Sequence, residues 1–213
     1  MFEQGNMVES IELSSNLLIE GNNNSDYIEI LQIRGYSYMS IADFKSAISD
    51  LEKLLKIDST NIHYYIAISF ALWEEGDYIS STDYIEIAHK LYPDDPLILN
   101  NLSYNYGELG RFSEALEYAS LGLQKDNLSD DIKALLLNNK GYAYIGLMKY
   151  NEAIYFIDKS LNINNTNSFA YYFRALANIG LEKFETVCDD LATAKNYGGL
   201  NLTKDLIKKY CKE

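Results

Sequence analysis

The sequence predicts an all-α fold built from stacked helix-turn-helix repeats. Three observations support this: a pattern that recurs every 34 residues over most of the chain, an aromatic residue at a fixed place in each repeat, and only 2 prolines among 213 residues. Proline breaks helix interiors, so its scarcity suits long helices. The chain is 47% hydrophobic and can bury a sizeable core, and a stack of repeats extends simply by adding units.

Four columns of equivalent residues define the repeat. The first is a small residue in each first helix: Gly35, Ser69, Ser103, Gly141 and Ala175. A turn column follows seven residues later: Ala42, Gly76, Gly110, Met148 and Glu182. An aromatic column then begins each second helix: Phe44, Tyr78, Phe112, Tyr150 and Phe184. The last is a second small residue, from which the fifth repeat departs: Ala47, Ser81, Ala115, Ala153 and Val187.

These columns have a physical reading. Antiparallel helices approach closely only where side chains are small, and the aromatic residue fills the gap between one repeat and the next. No helix pair buries its own apolar faces, so the repeats must stack. The predicted core between helices is Leu31, Ile68, Leu72, Tyr106 and Tyr144.

The repeat resembles the tetratricopeptide repeat family. The resemblance is carried by Gly76-Asp77-Tyr78, Tyr92-Pro93-Asp94, Gly110-Arg111-Phe112 with Glu114-Ala115, and Lys149-Tyr150 with Glu152-Ala153-Ile154. It implies a right-handed superhelical solenoid in one domain over 1–213. Residues 1–26 are then a partial repeat, 27–200 are five full units, and 201–213 are a capping helix with an apolar stripe.

Two places depart from a regular repeat. At the N-terminus, Gly5-Asn6-Met7 reads as a turn before a second helix, and the stretch from Asn22 to Ser25 reads as a polar connector. The interval from Ser103 to Gly141 is four residues longer than the others, and Ser129-Asp130-Asp131 reads as a helix start. We therefore predict a first helix lengthened by one turn, either a tolerated insertion or a functional projection.

The charge of the chain limits its partners. A formal net charge of −13 argues against nucleic acid and anionic membranes, because both need a basic face. The acidity either keeps an extended protein soluble or attracts a basic client. No apolar run has the length of a membrane span, and the first ten residues lack the basic start of a signal peptide. These features predict the cytoplasm, although a trimmed secreted chain would look the same.

No constellation of residues points to catalysis, a metal or a cofactor. Cys188 and Cys211 are distant in sequence and fit neither a disulfide framework nor a zinc site, so we expect buried thiols in a reducing compartment. His63 and His89 lie on different predicted helices. We predict a protein that is not an enzyme and carries no cofactor.

The family resemblance implies a concave groove lined by the first helices. Its predicted partner-binding residues are Phe70, Trp73, Asn100, Asn101, Tyr104, Asn138, Asn139, Tyr142 and Tyr172. The two Asn-Asn pairs recur in adjacent repeats and could hold the backbone of an extended segment, while the aromatic rings offer apolar area with polar tips. The alternative is that asparagine reflects compositional bias and the rings pack between repeats.

These features predict a scaffold that binds a peptide segment or helix of another protein. The basic residues that the family uses to clamp a C-terminal carboxylate are missing from the groove positions, so that ligand is not expected. Two alternatives remain: a chaperone-like holder of secretion or assembly clients, and a structural module that self-associates through its end helices into a homo-oligomer.

Overall fold

Short polar residues start several helices of this chain. The computed structural model describes residues 2–19 and 24–211, and within them the chain forms twelve α-helices and no strand. Asp43 and Asp77 cap second helices by accepting a hydrogen bond from a backbone N–H of the first turn. Asn61, Asp95 and Asn167 cap first helices in the same way. The predicted all-α solenoid of helix-turn-helix repeats is confirmed.

The chain divides into two compact units, and the first comprises Met1–Pro93. Its helices, in chain order, are α1 (Phe2–Ile19), α2 (Asn24–Ser40), α3 (Phe44–Ile57), α4 (Ile62–Glu74) and α5 (Tyr78–Leu91). Each helix packs against the next. Leu31, Leu51 and Ile68 are fully buried between them, which confirms Leu31 and Ile68 as core.

The N-terminal helix differs from the prediction. Helix α1 runs without a break through Gly5-Asn6-Met7, so the predicted turn is wrong. Gly and Asn cost a helix up to about 1 kcal/mol each relative to Ala, and packing against α2 outweighs that cost. At this contact the Arg34 Nη1 atom donates to Ser15 Oγ at 3.2 Å. Helix α2 already begins at Asn24, so the predicted connector is shorter, and positions 22–23 lie outside the described residues.

The second unit comprises Asp94–Glu213. Its helices are α6 (Pro96–Glu108), α7 (Phe112–Leu123), α8 (Asp130–Gly146), α9 (Tyr150–Ile163), α10 (Ser168–Gly180), α11 (Val187–Asn196) and α12 (Leu200–Tyr210). Helix α8 has 17 residues against 13 in both α6 and α10. The Ser129 hydroxyl accepts a hydrogen bond from the Ile132 N–H and caps this helix. The predicted extra turn is confirmed.

The turn column is the sharpest local feature of the repeat. All five of its residues have a positive φ, from 58° to 80°: Ala42, Gly76, Gly110, Met148 and Glu182. Each ends a first helix in the left-handed conformation, which turns the chain back for the second helix. Glycine takes this conformation without strain, whereas Ala42, Met148 and Glu182 hold it at a cost.

The small residues lie buried at helix contacts and the aromatic rings pack between repeats, as the sequence predicts. Ala47, Ser81, Ala115, Ala153 and Val187 are all completely buried. A Cβ atom at Gly146 would lie 2.2 Å from the Phe112 ring, and one at Gly180 would lie 2.5 Å from the Tyr150 ring. Each ring therefore packs directly on the first helix of the following repeat, at a position that only glycine leaves open.

The last helix covers the apolar side of α11, as predicted for a cap. Leu206, Ile207 and Tyr210 pack against the buried Val187 and Leu191. Phe184 precedes α11, which begins three residues later than its counterparts, and its ring stacks on Tyr210 with centroids 5.8 Å apart. The side chain of Leu202, also placed in the predicted stripe, lies outside those that the structure describes.

A disulfide bond joins Cys188 to Cys211, so the prediction of two buried thiols is wrong. Cys188 lies in the first turn of α11, and Cys211 ends α12. Because the two helices fold back on each other, residues 23 apart in sequence come within 5.6 Å between Cα atoms. The bond ties the C-terminal end of α12 to the repeat that it covers.

Candidate protein-interaction surface

The predicted binding residues lie in both units. Phe70 and Trp73 belong to the first, where the Phe70 side chain is 48% exposed on α4. Its ring stacks on the half-buried Trp73 ring at 6.4 Å and meets the Phe44 ring edge-on at 6.3 Å. These rings form a small aromatic patch on the first unit, with Phe70 as its most accessible member.

The asparagines of the second unit lie inside the stack. Asn100, Asn138 and Asn139 are 7%, 3% and 5% exposed. The Asn139 side-chain amide donates to the Asn100 backbone oxygen at 3.1 Å and to Asn100 Oδ1 at 2.9 Å. Asn100 in turn donates to Asn101 Oδ1 at 3.2 Å. This chain of hydrogen bonds joins α6 to α8.

The asparagines therefore differ from the exposed amides that the sequence predicts. First helices of adjacent repeats pack side by side, and Asn139 on one bonds to Asn100 on the other rather than facing solvent. Asn101 is the most accessible of the four. Contact between these asparagines and a partner stays a prediction.

The predicted tyrosines of the second unit surround a carboxylate. Tyr104 and Glu108 lie on α6, Tyr142 on α8 and Tyr172 on α10, and all four side chains are partly exposed. The Tyr104 and Tyr142 rings are 6.2 Å apart between centroids. We call these four residues the Glu108 cluster. Three successive first helices thus contribute to one surface.

Neighbouring residues fix the Tyr142 ring at the centre of the cluster. It stacks almost parallel on the Phe173 ring, with centroids 4.4 Å apart, and meets the Phe112 ring edge-on at 5.9 Å. A Cβ atom at Gly107 would lie only 2.7 Å from Tyr142 Cε1. Glycine at this position leaves room for the ring beside Glu108.

The electrostatics of the cluster centre on Glu108. Burial raises the pKa of Glu108 above its usual value, and hydrogen bonds from the Tyr142 and Tyr104 hydroxyls offset part of that rise. Burial also raises the pKa of Tyr172, and the negative charge of Glu108 raises it further. The Glu108 carboxylate is therefore poorly solvated for a charged group.

Two carboxylates that are more deeply buried than Glu108 each have a cation beside them. Asp50 is 1% exposed and receives two hydrogen bonds from the Arg34 guanidinium, at 2.6 and 2.8 Å. Asp190 is 4% exposed and receives two from Arg174, at 2.6 and 2.9 Å. Neither ion pair was predicted from the sequence. The missed signal was that Arg and Asp are 16 residues apart in both repeats.

Within residues 2–19 and 24–211 no group of His, Cys, Asp and Glu is arranged to hold a metal ion. In the same residues no helix has the length and apolarity needed to cross a membrane.

Known proteins resemble this chain in sequence over two stretches and in fold over most of its length. Residues 28–61 and 134–167 match the Tetratricopeptide repeat model. Bacteriophage adsorption protein A of Escherichia coli (strain K12) is 31% identical over 110 residues, which are 52% of this chain and 11% of that protein. This chain therefore corresponds to a small part of that relative.

Solved structures share the fold at low identity. A tetratricopeptide repeat protein from Parabacteroides merdae ATCC 43184 superposes with a TM-score of 0.76 at 15% identity, over 99% of this chain and 80% of that one. PilW, described as a type IV pilus biogenesis factor, superposes with a TM-score of 0.70 at 18% identity, over 83% of this chain and 79% of PilW. A MamA protein superposes with a TM-score of 0.60 at 16% identity, over 89% of this chain and 98% of the MamA chain.

The matched repeats, the left-handed turn column and the shared fold agree on one assignment. The chain contains tetratricopeptide repeats at residues 28–61 and 134–167 and shares the fold of solved tetratricopeptide repeat proteins.

Proposed function

We propose that the second unit binds a segment of another protein on the surface formed by α6, α8 and α10, and that the protein is a non-enzymatic adaptor. The observation that carries the proposal is the Glu108 cluster, in which three tyrosines from three first helices remain partly exposed. Tyrosine offers apolar area and a hydrogen-bonding tip at little entropic cost, which suits a protein interface.

Packing against neighbouring rings also orders the tyrosines of this surface. Tyr142 is fixed by Phe173 and Phe112, and Tyr104 meets the Phe169 ring edge-on at 6.2 Å. Rings that are already ordered lose little freedom when a partner packs on them. In the first unit, the exposed Phe70 beside Trp73 supports a second contact of the same kind.

Selection of random peptides displayed on phage tests the proposal without a known partner. Peptides enriched on the wild-type protein should lose affinity for Tyr104→Ala by about tenfold or more, because truncating an aromatic residue at the centre of an interface costs about 2 kcal/mol or more. Tyr155→Ala is the matched control, since Tyr155 is 55% exposed on the second helix α9. If both variants bind the peptides as the wild type does, the surface is not the binding site.

Self-association is the second candidate, and one observation favours it. Helix α1 exposes Val8 and Leu13 at 48% and 61%. A second copy that packed on α1 would cover both side chains. Sedimentation of the wild type and of Val8→Glu/Leu13→Glu distinguishes the candidates: dimers that the double variant abolishes would support it, and a wild-type monomer at all concentrations would reject it.

The compartment is a separate proposal. The sequence predicts the cytoplasm, whereas the Cys188–Cys211 disulfide supports an oxidising compartment, because cytosolic thiols are kept reduced. Lysing the native cells in denaturant with a maleimide, which then labels every free thiol, buried or exposed, distinguishes the two. A chain that takes up no maleimide was oxidised in the cell, and a doubly labelled chain was reduced.

A further inference from the structure

The Glu108 cluster has the chemistry of a site for a positively charged side chain. It combines a carboxylate with three tyrosine rings on a surface that remains partly open to solvent. The face of an aromatic ring attracts cations, and a nearby carboxylate adds direct charge attraction. An apolar or acidic side chain would leave the Glu108 charge without a partner at a site that binding dehydrates further.

The buried carboxylates Asp50 and Asp190 differ from Glu108 because each forms a salt bridge with an arginine. Arg34 neutralises Asp50, and Arg174 neutralises Asp190 and also contacts Asp158 at 2.8 Å. Among the described residues no lysine or arginine forms a salt bridge with Glu108, whose contacts are the hydroxyls of Tyr104 and Tyr142. Glu108 therefore differs from Asp50 and Asp190 in that no cation of the described residues pairs with it.

The chain also contains the geometry that such a cation would use. Lys159 Nζ lies 4.3 Å from the centroid of the Tyr155 ring, and the Arg111 guanidinium lies 4.4 Å from that of Tyr106. A lysine or arginine of a partner could approach Tyr104, Tyr142 or Tyr172 in the same manner while its charge faces Glu108. The net charge of −13 would attract a basic segment from a distance.

We propose that the segment bound on this surface carries a lysine or arginine side chain that pairs with Glu108 beside the rings of Tyr104, Tyr142 and Tyr172. The inference rests on the proposed function and names the chemistry of its partner. The partner is a protein segment with a basic residue flanked by apolar ones, since the surrounding surface is aromatic.

Peptides selected on the wild-type protein are the probe, and Glu108→Gln is the decisive variant. Glutamine keeps the size and the hydrogen-bond acceptor of glutamate but removes the charge. We expect binding measured by fluorescence anisotropy to weaken about tenfold or more, which is the usual result when a dehydrated charge pair loses one partner. Glu117→Gln removes the same charge from an exposed position on α7 and should leave affinity unchanged.

The same peptides with their basic residue replaced by norleucine complete the test. The wild type should lose affinity for the norleucine peptide, whereas Glu108→Gln should bind both peptides equally. Equal losses in Glu108→Gln and Glu117→Gln would mean that the peptides respond to overall charge, and the inference would be wrong. Selected peptides that lack a recurring basic residue would overturn it as well.

Failure of the inference and failure of the proposed function give different results. If Tyr104→Ala loses binding but Glu108→Gln does not, the surface binds a partner and the inferred cation is wrong. If neither variant loses binding, both proposals fail. A melting temperature of Glu108→Gln at or above that of the wild type would show that any loss of affinity does not come from unfolding, and we expect that result because the poorly solvated charge is gone.

Discussion

The Asn139 side-chain amide donates two hydrogen bonds to Asn100, one to the backbone oxygen at 3.1 Å and one to Oδ1 at 2.9 Å. This pair joins the first helices of two adjacent repeats inside the second unit. It makes these asparagines part of the stacking of the repeats.

The asparagine pair should contribute to stability. Asn139→Ala removes both hydrogen bonds and takes away the donor on α8 to the buried Asn100 Oδ1, so we expect the free energy of unfolding to fall by about 1–3 kcal/mol. Urea denaturation followed by circular dichroism measures this loss. Asn162→Ala, at an exposed position of α9, serves as the control. If the two variants were equally stable, Asn139 would not stabilise the stack.

The left-handed turns offer stabilising substitutions. Met148 has φ 58° and its side chain is 75% exposed, so Met148→Gly removes backbone strain and little packing. We expect a gain of about 1 kcal/mol in unfolding free energy. The reverse change, Gly76→Ala, should cost a similar amount, because an added Cβ meets no atom within 4 Å and the whole effect comes from φ 80°. A loss of stability in Met148→Gly would contradict this account.

The Arg34–Asp50 pair should make stability depend on pH. Burial raises the pKa of Asp50, but hydrogen bonds from Arg34 and Lys53 outweigh it and hold the pKa below the ordinary 3.8. The folded pKa lies below the unfolded one, so this stabilisation is complete above the unfolded pKa and is lost as pH falls through the folded pKa.

Thermal melts of the wild type and of Asp50→Asn between pH 7 and about pH 2.5 test whether the stabilisation is lost as the pH falls. At pH 7 the variant should be less stable by roughly 3 kcal/mol, because Arg34 keeps its charge without a partner. The difference should shrink below pH 4. Lowered pKa values at the exposed Asp58 and Asp77 act alike in both proteins and cancel. A gap between the two proteins that stayed constant down to pH 2.5 would rule out this role for Asp50.

The disulfide should stabilise the cap. Closing a loop between residues 23 apart gives about 3 kcal/mol when the unfolded chain is constrained in this way. We expect dithiothreitol to lower the melting temperature of the wild type and to have no effect on Cys188→Ser/Cys211→Ser. If reduction left the wild-type melting temperature unchanged, the bond would not hold α12 in place.

Much of the fold could be predicted from the sequence because five aligned repeats show the same pattern of residues. Ala42, Met148 and Glu182 are unremarkable residues alone, but their alignment with Gly76 and Gly110 marks the left-handed turn. The same repetition identifies the small residues at helix contacts. Where the repeat ends, the prediction weakens: Gly5-Asn6-Met7 resembles a turn, and only tertiary packing keeps it helical.

The site was harder to predict because sequence position does not settle burial. Asn100 and Tyr104 occupy neighbouring turns of one helix, yet Asn100 bonds across to α8 and Tyr104 remains partly exposed. Nothing in the sequence around Glu108 distinguishes it from other glutamates, and its environment is formed by tyrosines on three different helices. The Cys188–Cys211 bond likewise depends on how α12 folds back on α11.

Mapping of a selected peptide onto the protein by NMR tests the central claim most directly. On titration with the peptide, we expect the largest chemical-shift changes in the ring signals of Tyr104, Tyr142 and Tyr172 and in the amide of Gly107, with Tyr155 unaffected. Changes confined to α7, α9 and α11, with the three tyrosine rings silent, would contradict the account and place the binding surface on the second helices.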